Sequence, residues 1–257
     1  MNEIIREKPP YTILAGIYDI VMSDVDYETW ADYIDEIILQ HKPKAQKLLE
    51  LACGTGTITL SLEELDCYEI TATDGSPDMI RIAQKKADQV NSEITFKTAD
   101  FLNIDLPESF DVVYMVFDSL NYLHNEDDIL KLHSEVKKVL KPGGIFIYDF
   151  TTPRNSRKAI RYLNNENRHL KGKFRYERQS RYDGKNQIHT NIFQIELMNK
   201  HGESAGSYEE IHHQRIYTFE EIKSIVKKTD FTILQAYDGF ELKSATNKSL
   251  RITMVLQ

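Results

Sequence analysis

Cysteine is nearly missing from this sequence: Cys53 and Cys67 are the only two in 257 residues. Two thiols cannot build a disulfide framework, and neither sits in a C-x-x-C or His-rich set, so no structural or catalytic metal is expected. Long apolar runs are also missing. No stretch approaches the length of a membrane span, and the opening MNEIIREKPPY mixes both signs of charge with two prolines and has no apolar h-region. These absences lead to the expectation of a cytoplasmic protein with reduced thiols and no membrane association. An excess of positive charge is lacking too. Lys and Arg number 32 against 40 Asp and Glu, a formal net charge of -8, which argues against general coating of nucleic acid or an anionic membrane. Internal repeats and low-complexity segments are absent. So is any Tyr-x-x-x-Lys pair for carbonyl reduction, which weakens a nicotinamide reading.

What is present is enough hydrophobic sequence, 41 %, for one α/β domain with an insertion. LLELACGTGTITL (Leu48–Leu60) reads as the end of a buried strand, a turn allowed by Gly54 and Gly56, and a helix. Such a turn presents backbone N–H groups and a helix N-terminus, a cradle for a phosphate or carboxylate. Strand signals recur at CYEITATD, ITFKTAD, FDVVYMVFDSL and IFIYDF. Helices are expected between them, one capped by Ser76 with Pro77 in its first turn and another over EDDILKLHSEVKKVL. Continuous apolar strands alternating with helices from Leu48 to Phe150 predict a doubly wound, Rossmann-like parallel sheet with helices on both faces. Asp74, twenty positions after Gly54, ends the second strand, where a carboxylate can take both hydroxyls of a ribose; Asp100 and Phe101 close the third, able to bond and cover an adenine edge.

From Thr151 to Lys185 the balance reverses, eleven Lys or Arg against three Asp or Glu, leaving 21 against 37 elsewhere. The sequence beyond alternates around turn signals at Asp183-Gly184 and Lys200 to Gly206, which predicts an antiparallel hairpin sheet. Thr218 and Glu221 form a capping box for another helix, and TILQAYDGF and LRITMVLQ supply the last strands. The organisation expected is an N-terminal helical cap over residues 1–46, a core made of 47–150 and 217–257, and an inserted antiparallel lid over 151–216.

Together, Glu50-Leu-Ala-Cys-Gly54-Thr-Gly56, Asp74, Asp100-Phe101, FDVVYMVFDSLNYL and LKPGGIFIYDF resemble the motif series of class I S-adenosylmethionine-dependent methyltransferases, over roughly Lys47 to Phe150. IYDIVMSDVDYETW and EEIHHQRIYTF are similar to the small-molecule branch, in particular the sugar-amine and glycine-type N-methyltransferases. The resemblance implies a seven-stranded sheet with an antiparallel last strand, S-adenosyl-L-methionine as cofactor and S-adenosyl-L-homocysteine as product. It also implies that Gly54 and Gly56 approach the methionine part, Asp74 the ribose, Asp100 and Phe101 the adenine, and Met79 its other side. Glu50, Ala52, Gly75, Val116 and Phe117 complete the implied cofactor set, with Tyr18 as the tyrosine that closes over the cofactor carboxylate. Ala52 departs from the family, which often has glycine there.

The acceptor pocket is expected around Ser119, Asn121, Tyr122, His124, Tyr148 and Arg175, at the carboxyl end of the fourth strand and the lid. His212 and His213 are adjacent on a strand and point to opposite faces, so they cannot share a metal, but one can face the cleft as a base. The segment after the fourth strand lacks the Asp/Asn-Pro-Pro-Tyr/Phe signature of base and glutamine methylation, and no Pro-Cys nucleophile occurs. The reading is methyl transfer to N or O of a small molecule, amine-bearing or anionic. The alternative is an RNA or nucleotide methyltransferase whose basic 151–185 segment grips phosphates.

Overall fold

The computed structural model describes residues 5–107 and 109–257. Strand β1 (Ile5–Lys8) is followed by a 3₁₀ turn (Leu14–Ile17), the short helix α1 (Tyr18–Val21) and helix α2 (Tyr27–His41). Asp26 caps α2 by accepting the Thr29 N–H at 3.0 Å, and Trp30, Ile34, Ile37 and Ile38 recur on the buried face at helical spacing. Then come β2 (Lys47–Leu51), α3 (Thr57–Glu63), β3 (Glu69–Asp74), α4 (Pro77–Val90), β4 (Thr95–Thr98) and β5 (Phe110–Met115). A 3₁₀ turn (Ser119–Tyr122), α5 (Glu126–Val139) and β6 (Leu140–Thr151) complete the expected alternation. The insertion carries α6 (Pro153–Leu163), β7 (Glu166–Leu170), β8 (Phe174–Asp183), β9 (Ile188–Met198) and β10 (Ser204–Arg215). Helix α7 (Phe219–Val226), with the Thr218/Glu221 capping box formed, precedes β11 (Ile233–Asp238), β12 (Glu241–Ser244) and β13 (Arg251–Leu256).

Two sheets result. The larger runs β12-β11-β13-β6-β5-β2-β3-β4, with β2 to β6 parallel and β13 antiparallel to both of its neighbours. The chain starts at β2, moves out to β3 and β4, then crosses back to β5 on the other side. That reversal opens a crevice at the carboxyl ends of β2 and β5. The smaller sheet runs β1-β10-β9-β8-β7, and its inner face packs Phe174, Tyr176, Phe193 and Ile195 against Leu14, Ile17 and Val21.

Three features differ from the sequence reading. The large sheet has eight strands, not seven: β12 is a fully exposed edge strand, and without a buried face it has no apolar alternation to reveal it. The basic segment begins as a helix, α6, entered through Thr152 as N-cap and Pro153 in the first turn, the same signals that start α4. The region before residue 46 is not purely helical, because β1 joins the insertion's sheet parallel to β10. Among the described residues no helix is long and apolar enough to cross a membrane.

Candidate active site

The floor of the crevice is backbone. After β2, Ala52, Gly54 and Gly56 all take positive φ (56°, 57° and 74°), folding the chain back into α3. A Cβ on Gly54 would meet nothing within 4 Å, so this turn leaves room for a ligand to approach the main chain. Gly56 serves differently: a Cβ there would lie 2.8 Å from the Phe96 ring and 3.1 Å from Ala83, so its bareness lets α3 close on the sheet. Asp74 fixes the turn by accepting the N–H groups of Gly54 (2.8 Å) and Ser76 (2.7 Å); burial nevertheless pushes its carboxyl above the ordinary range. Behind the turn, burial raises the Glu50 carboxyl to about 7, against the pull of hydrogen bonds from Thr59 and Tyr114.

Glu50, Ala52, Gly54 and Asp74 line a cavity of about 240 Å³. Of the expected cofactor set, Tyr18, Glu50, Ala52, Gly54, Asp74, Gly75, Met79, Phe101, Val116 and Phe117 are brought together there, and Ser119 and Tyr122 stand on the same wall. Tyr11, Tyr27, Thr55 and Thr57 also face it. The Tyr27 hydroxyl is buried without a hydrogen-bond partner. A bare turn, an acid at the end of β3, apolar Met79 and Phe101 and an unsatisfied hydroxyl form a donor set that suits a nucleoside carrying an amino-acid tail.

A second cavity, about 80 Å³, lies beyond a partition formed by Tyr11, Tyr18, Phe117 and Tyr122. Its far wall carries Asp118, Arg178, Asn191, His212 and Gln214. Phe117 and Asp118 are consecutive left-handed residues (φ 65° and 54°), a conformation costing about 1–2 kcal/mol per non-glycine residue. Arg251 holds them. Its guanidinium donates to Asp118 at 2.6 Å and to the wholly buried Asp149, and it lies over the rings of Trp30 and Phe117. Asp149 in turn accepts the Asp118 N–H at 2.9 Å, and Gln214 donates to Asp118 at 2.6 Å. His212 is buried, with Nδ1 at 2.9 Å from the Tyr122 hydroxyl and Nε2 at 3.3 Å from Glu210. Burial lowers the imidazole's pKa, although the Glu210 carboxylate opposes that. Glu210 also receives the N–H groups of Tyr11, Ile13 and Leu14, which ties the segment before α1 over both cavities.

Several expected site residues lie elsewhere. His213 is exposed on the outer face of β10, so of the adjacent pair only His212 reaches the cleft. His124 is exposed and bonds the His213 carbonyl. Tyr148 points to the opposite side of the large sheet, packed against His133 and Phe146, because successive strand residues alternate and Asp149 takes the cavity side. Asn121 is buried but structural, joining both backbone groups of the β6 end to Arg215. Arg175 is on the outer face of β8, paired with Glu196; Arg178, three residues on and of opposite parity, faces the chamber. Gly56 and Asp100 are not part of the lining: Gly56 sits against Phe96, and exposed Asp100 caps the turn by accepting the Leu102 N–H. Arg251 was the most legible residue missed, a single cation at the head of an otherwise apolar strand. Tyr11 and Glu210 had no local signal.

Comparison with known proteins agrees with the fold. Residues 48–144 match a methyltransferase domain family. The chain is 29 % identical over 243 residues to the putative methyltransferase YqeM of Bacillus subtilis, covering 94 % of each. It is 28 % identical over 137 residues, 52 % of this chain and 53 % of the other, to a dTDP-4-amino-2,3,4,6-tetradeoxy-D-glucose N,N-dimethyltransferase of Saccharopolyspora spinosa. Among solved structures it superposes on a S-adenosylmethionine-dependent methyltransferase from Clostridium acetobutylicum with a TM-score of 0.79 at 26 % identity, covering 96 % of this chain and 98 % of that one.

Proposed function

The chain is an S-adenosylmethionine-dependent methyltransferase, and on that premise we propose that it methylates a nitrogen of a small polar molecule by in-line displacement. The cofactor supplies an activated methyl group whose leaving sulfur departs neutral, so little acid assistance is needed. In this reading Asp74 takes the ribose, Met79 and Phe101 the adenine, the Gly54 turn and Tyr18 the methionine part, and the Tyr27 hydroxyl gains a partner on binding. Residues 47–150 and 217–257 act as the cofactor half, and 1–46 with 151–216 as the acceptor cover.

The observation that carries the choice of acceptor is the second chamber. It is small, shares its partition with the cofactor cavity and holds a carboxylate, Asp118, beside a buried imidazole, His212. A carboxylate attracts an ammonium, whereas the neutral imidazole can help remove its proton, and an amine must lose that proton before it can attack. Similarity to a sugar-amine dimethyltransferase supports the same class. The RNA alternative has less behind it, since Arg168, Arg175 and Arg178 of the basic segment pair with Asp24, Glu196 and Glu166.

Calorimetric titration with S-adenosylmethionine and S-adenosylhomocysteine tests the cofactor half. Micromolar binding is expected, with Asp74→Ala weaker by about tenfold or more, about 1.4 kcal/mol. Release of S-adenosylhomocysteine is then measured against amino sugars, amino acids, polyamines and RNA. Turnover with RNA in preference to small amines would overturn the acceptor reading.

A further inference from the structure

Under the amine-methylation reading, on which this inference rests, a proton must leave the chamber. Four side chains make a continuous chain: Glu210 to His212 at 3.3 Å, His212 to Tyr122 at 2.9 Å, and Tyr122 to Tyr11 at 2.6 Å. The separations alone leave the direction of each link open, but counting hydrogens closes it. The wholly buried Glu210 meets only donors apart from His212: the N–H groups of Tyr11 (2.8 Å), Ile13 (2.5 Å) and Leu14 (2.9 Å). It is therefore an acceptor at His212 as well. A neutral His212 must then carry its hydrogen on Nε2 and present a lone pair at Nδ1. Tyr122 has one hydroxyl hydrogen, which goes to that lone pair, so the Tyr122 oxygen accepts from Tyr11. Tyr11 likewise gives its one hydrogen to Tyr122. Its own oxygen is left with lone pairs at the partition between the two cavities.

We propose that the Tyr11 oxygen is the proton acceptor of the reaction and that Glu210 is the positioning residue that sets the direction of the whole relay. The bond between the acceptor nitrogen and its hydrogen breaks with the electron pair staying on nitrogen. The hydrogen bonds to the Tyr11 oxygen as the Tyr11 hydrogen moves to Tyr122 and the Tyr122 hydrogen to His212 Nδ1. Both tyrosines end neutral, and the imidazolium that forms has its Nε2–H against Glu210.

The charges around this relay come from every element packed on it. Glu210 on β10 favours the imidazolium, and Arg178 on β8 and the neighbouring His213 oppose it. Asp118 faces Tyr11 and Tyr122, and Asp74 faces Tyr11 from the cofactor side; both keep the phenols protonated at rest, in the same direction as burial. A relay that passes hydrogens on needs no free phenolate, so these raised values are compatible with it.

Long-range ¹⁵N–¹H correlation on histidine-labelled protein tests the direction without turnover and without an acceptor, so it is independent of the calorimetry and the screen above. Above the ordinary imidazole range, from about pH 7 upward, the native protein is expected to show neutral His212 with hydrogen on Nε2. In Glu210→Gln the side-chain oxygen is kept by Ile13 and Leu14 and the amide N–H₂ turns to His212, which reverses the tautomer to Nδ1–H. Hydrogen on Nδ1 in the native protein, or an unchanged tautomer in a folded Glu210→Gln, overturns the proposal. Should Glu210→Gln not fold, Tyr122→Phe removes the Nδ1 partner alone; the Nδ1 resonance then moves while Nε2–H stays, and an unmoved Nδ1 resonance overturns the relay. With an amine acceptor from the screen, Tyr11→Phe is expected to lower kcat about tenfold or more with KM little changed, and an unchanged kcat overturns the role of Tyr11.

Discussion

The two sheets use their strands in opposite ways. In the large one, β2, β5 and β6 are buried on both faces, so their side chains are largely occupied with packing and the turns that follow the strands, at Ala52 to Thr55 and Asp74 to Gly75, line the cavity. In the small sheet the central strands β8, β9 and β10 each have one covered and one more open face. Arg178, Asn191, His212 and Gln214 look into the chamber, while Arg175, Glu177 and His213 look out. The difference teaches a division of labour. On the reading proposed above, the cofactor half shapes its cavity largely with turns held in fixed conformations, and the acceptor half with individually placed side chains.

That contrast can be broken most severely at Arg251, where a side chain holds up main chain. Arg251→Met keeps much of the volume but leaves Asp149 and Asp118 without their cation. A loss of about 3–5 kcal/mol is expected in urea unfolding. Burial and the nearby Asp118 already push the Asp149 carboxyl upward, and Arg251 pulls it back. Without Arg251 its folded pKa rises further. A raised folded pKa gives stability at low pH that is lost as pH rises, so the variant's deficit should be larger near pH 8 than near pH 5.

Glu50 gives a comparable effect that appears only in the pH dependence. Its carboxyl, at about 7 in the folded chain against 4.5 as the ordinary value, keeps a proton in the fold that the unfolded chain has released. Its contribution is complete below about pH 4.5 and fades as pH rises through 7, a swing of about 3 kcal/mol. In Glu50→Gln this slope should be missing from the difference between native and variant urea midpoints; parallel curves would show that Glu50 does not hold the proton.

The main-chain half should be most sensitive to one added carbon. Gly56→Ala combines a left-handed backbone with a Cβ 2.8 Å from Phe96, and about 1–3 kcal/mol should be lost in thermal unfolding. Ala52→Gly is the mirror experiment and the smallest effect. Ala52 already sits at φ 56°, so glycine relieves strain but adds freedom to the unfolded chain, for a net gain of about 0.5 kcal/mol. A loss at Ala52 would mean that its methyl contributes packing that outweighs the strain.

The same division explains what could be read beforehand. The cradle, Asp74 and the α/β alternation were legible because a glycine turn between an apolar strand and a helix is a local pattern. The antiparallel last strand came only with the family resemblance. The acceptor side was legible only in part, at the Asp118 to Tyr122 segment and the basic strand that carries Arg178, since Tyr11, Glu210 and Arg251 meet them only after β1 has joined β10 and β13 has joined β6. Parity did the rest. Alternation placed one of His212 and His213 in the cleft without saying which, and Tyr148 and Arg175 each fell on the wrong face of a correctly expected strand. Helix α6 was hidden by its own charge, which invited attention to what it might bind and away from its Thr152-Pro153 start.

Arg251 also has a consequence for synthesis. Every carboxylate it serves is translated long before it: Asp118 by 133 positions, with Asp149 in between. A nascent chain that has emerged through Thr246 already holds β5 and β6, yet the acids at their ends still lack a counter-ion. The cation that pairs with both acids beside the Phe117–Asp118 turn is supplied only by β13. A chain stalled upstream of Arg251 would carry Asp118, Asp149 and Gln214 without the cation that joins the two acids.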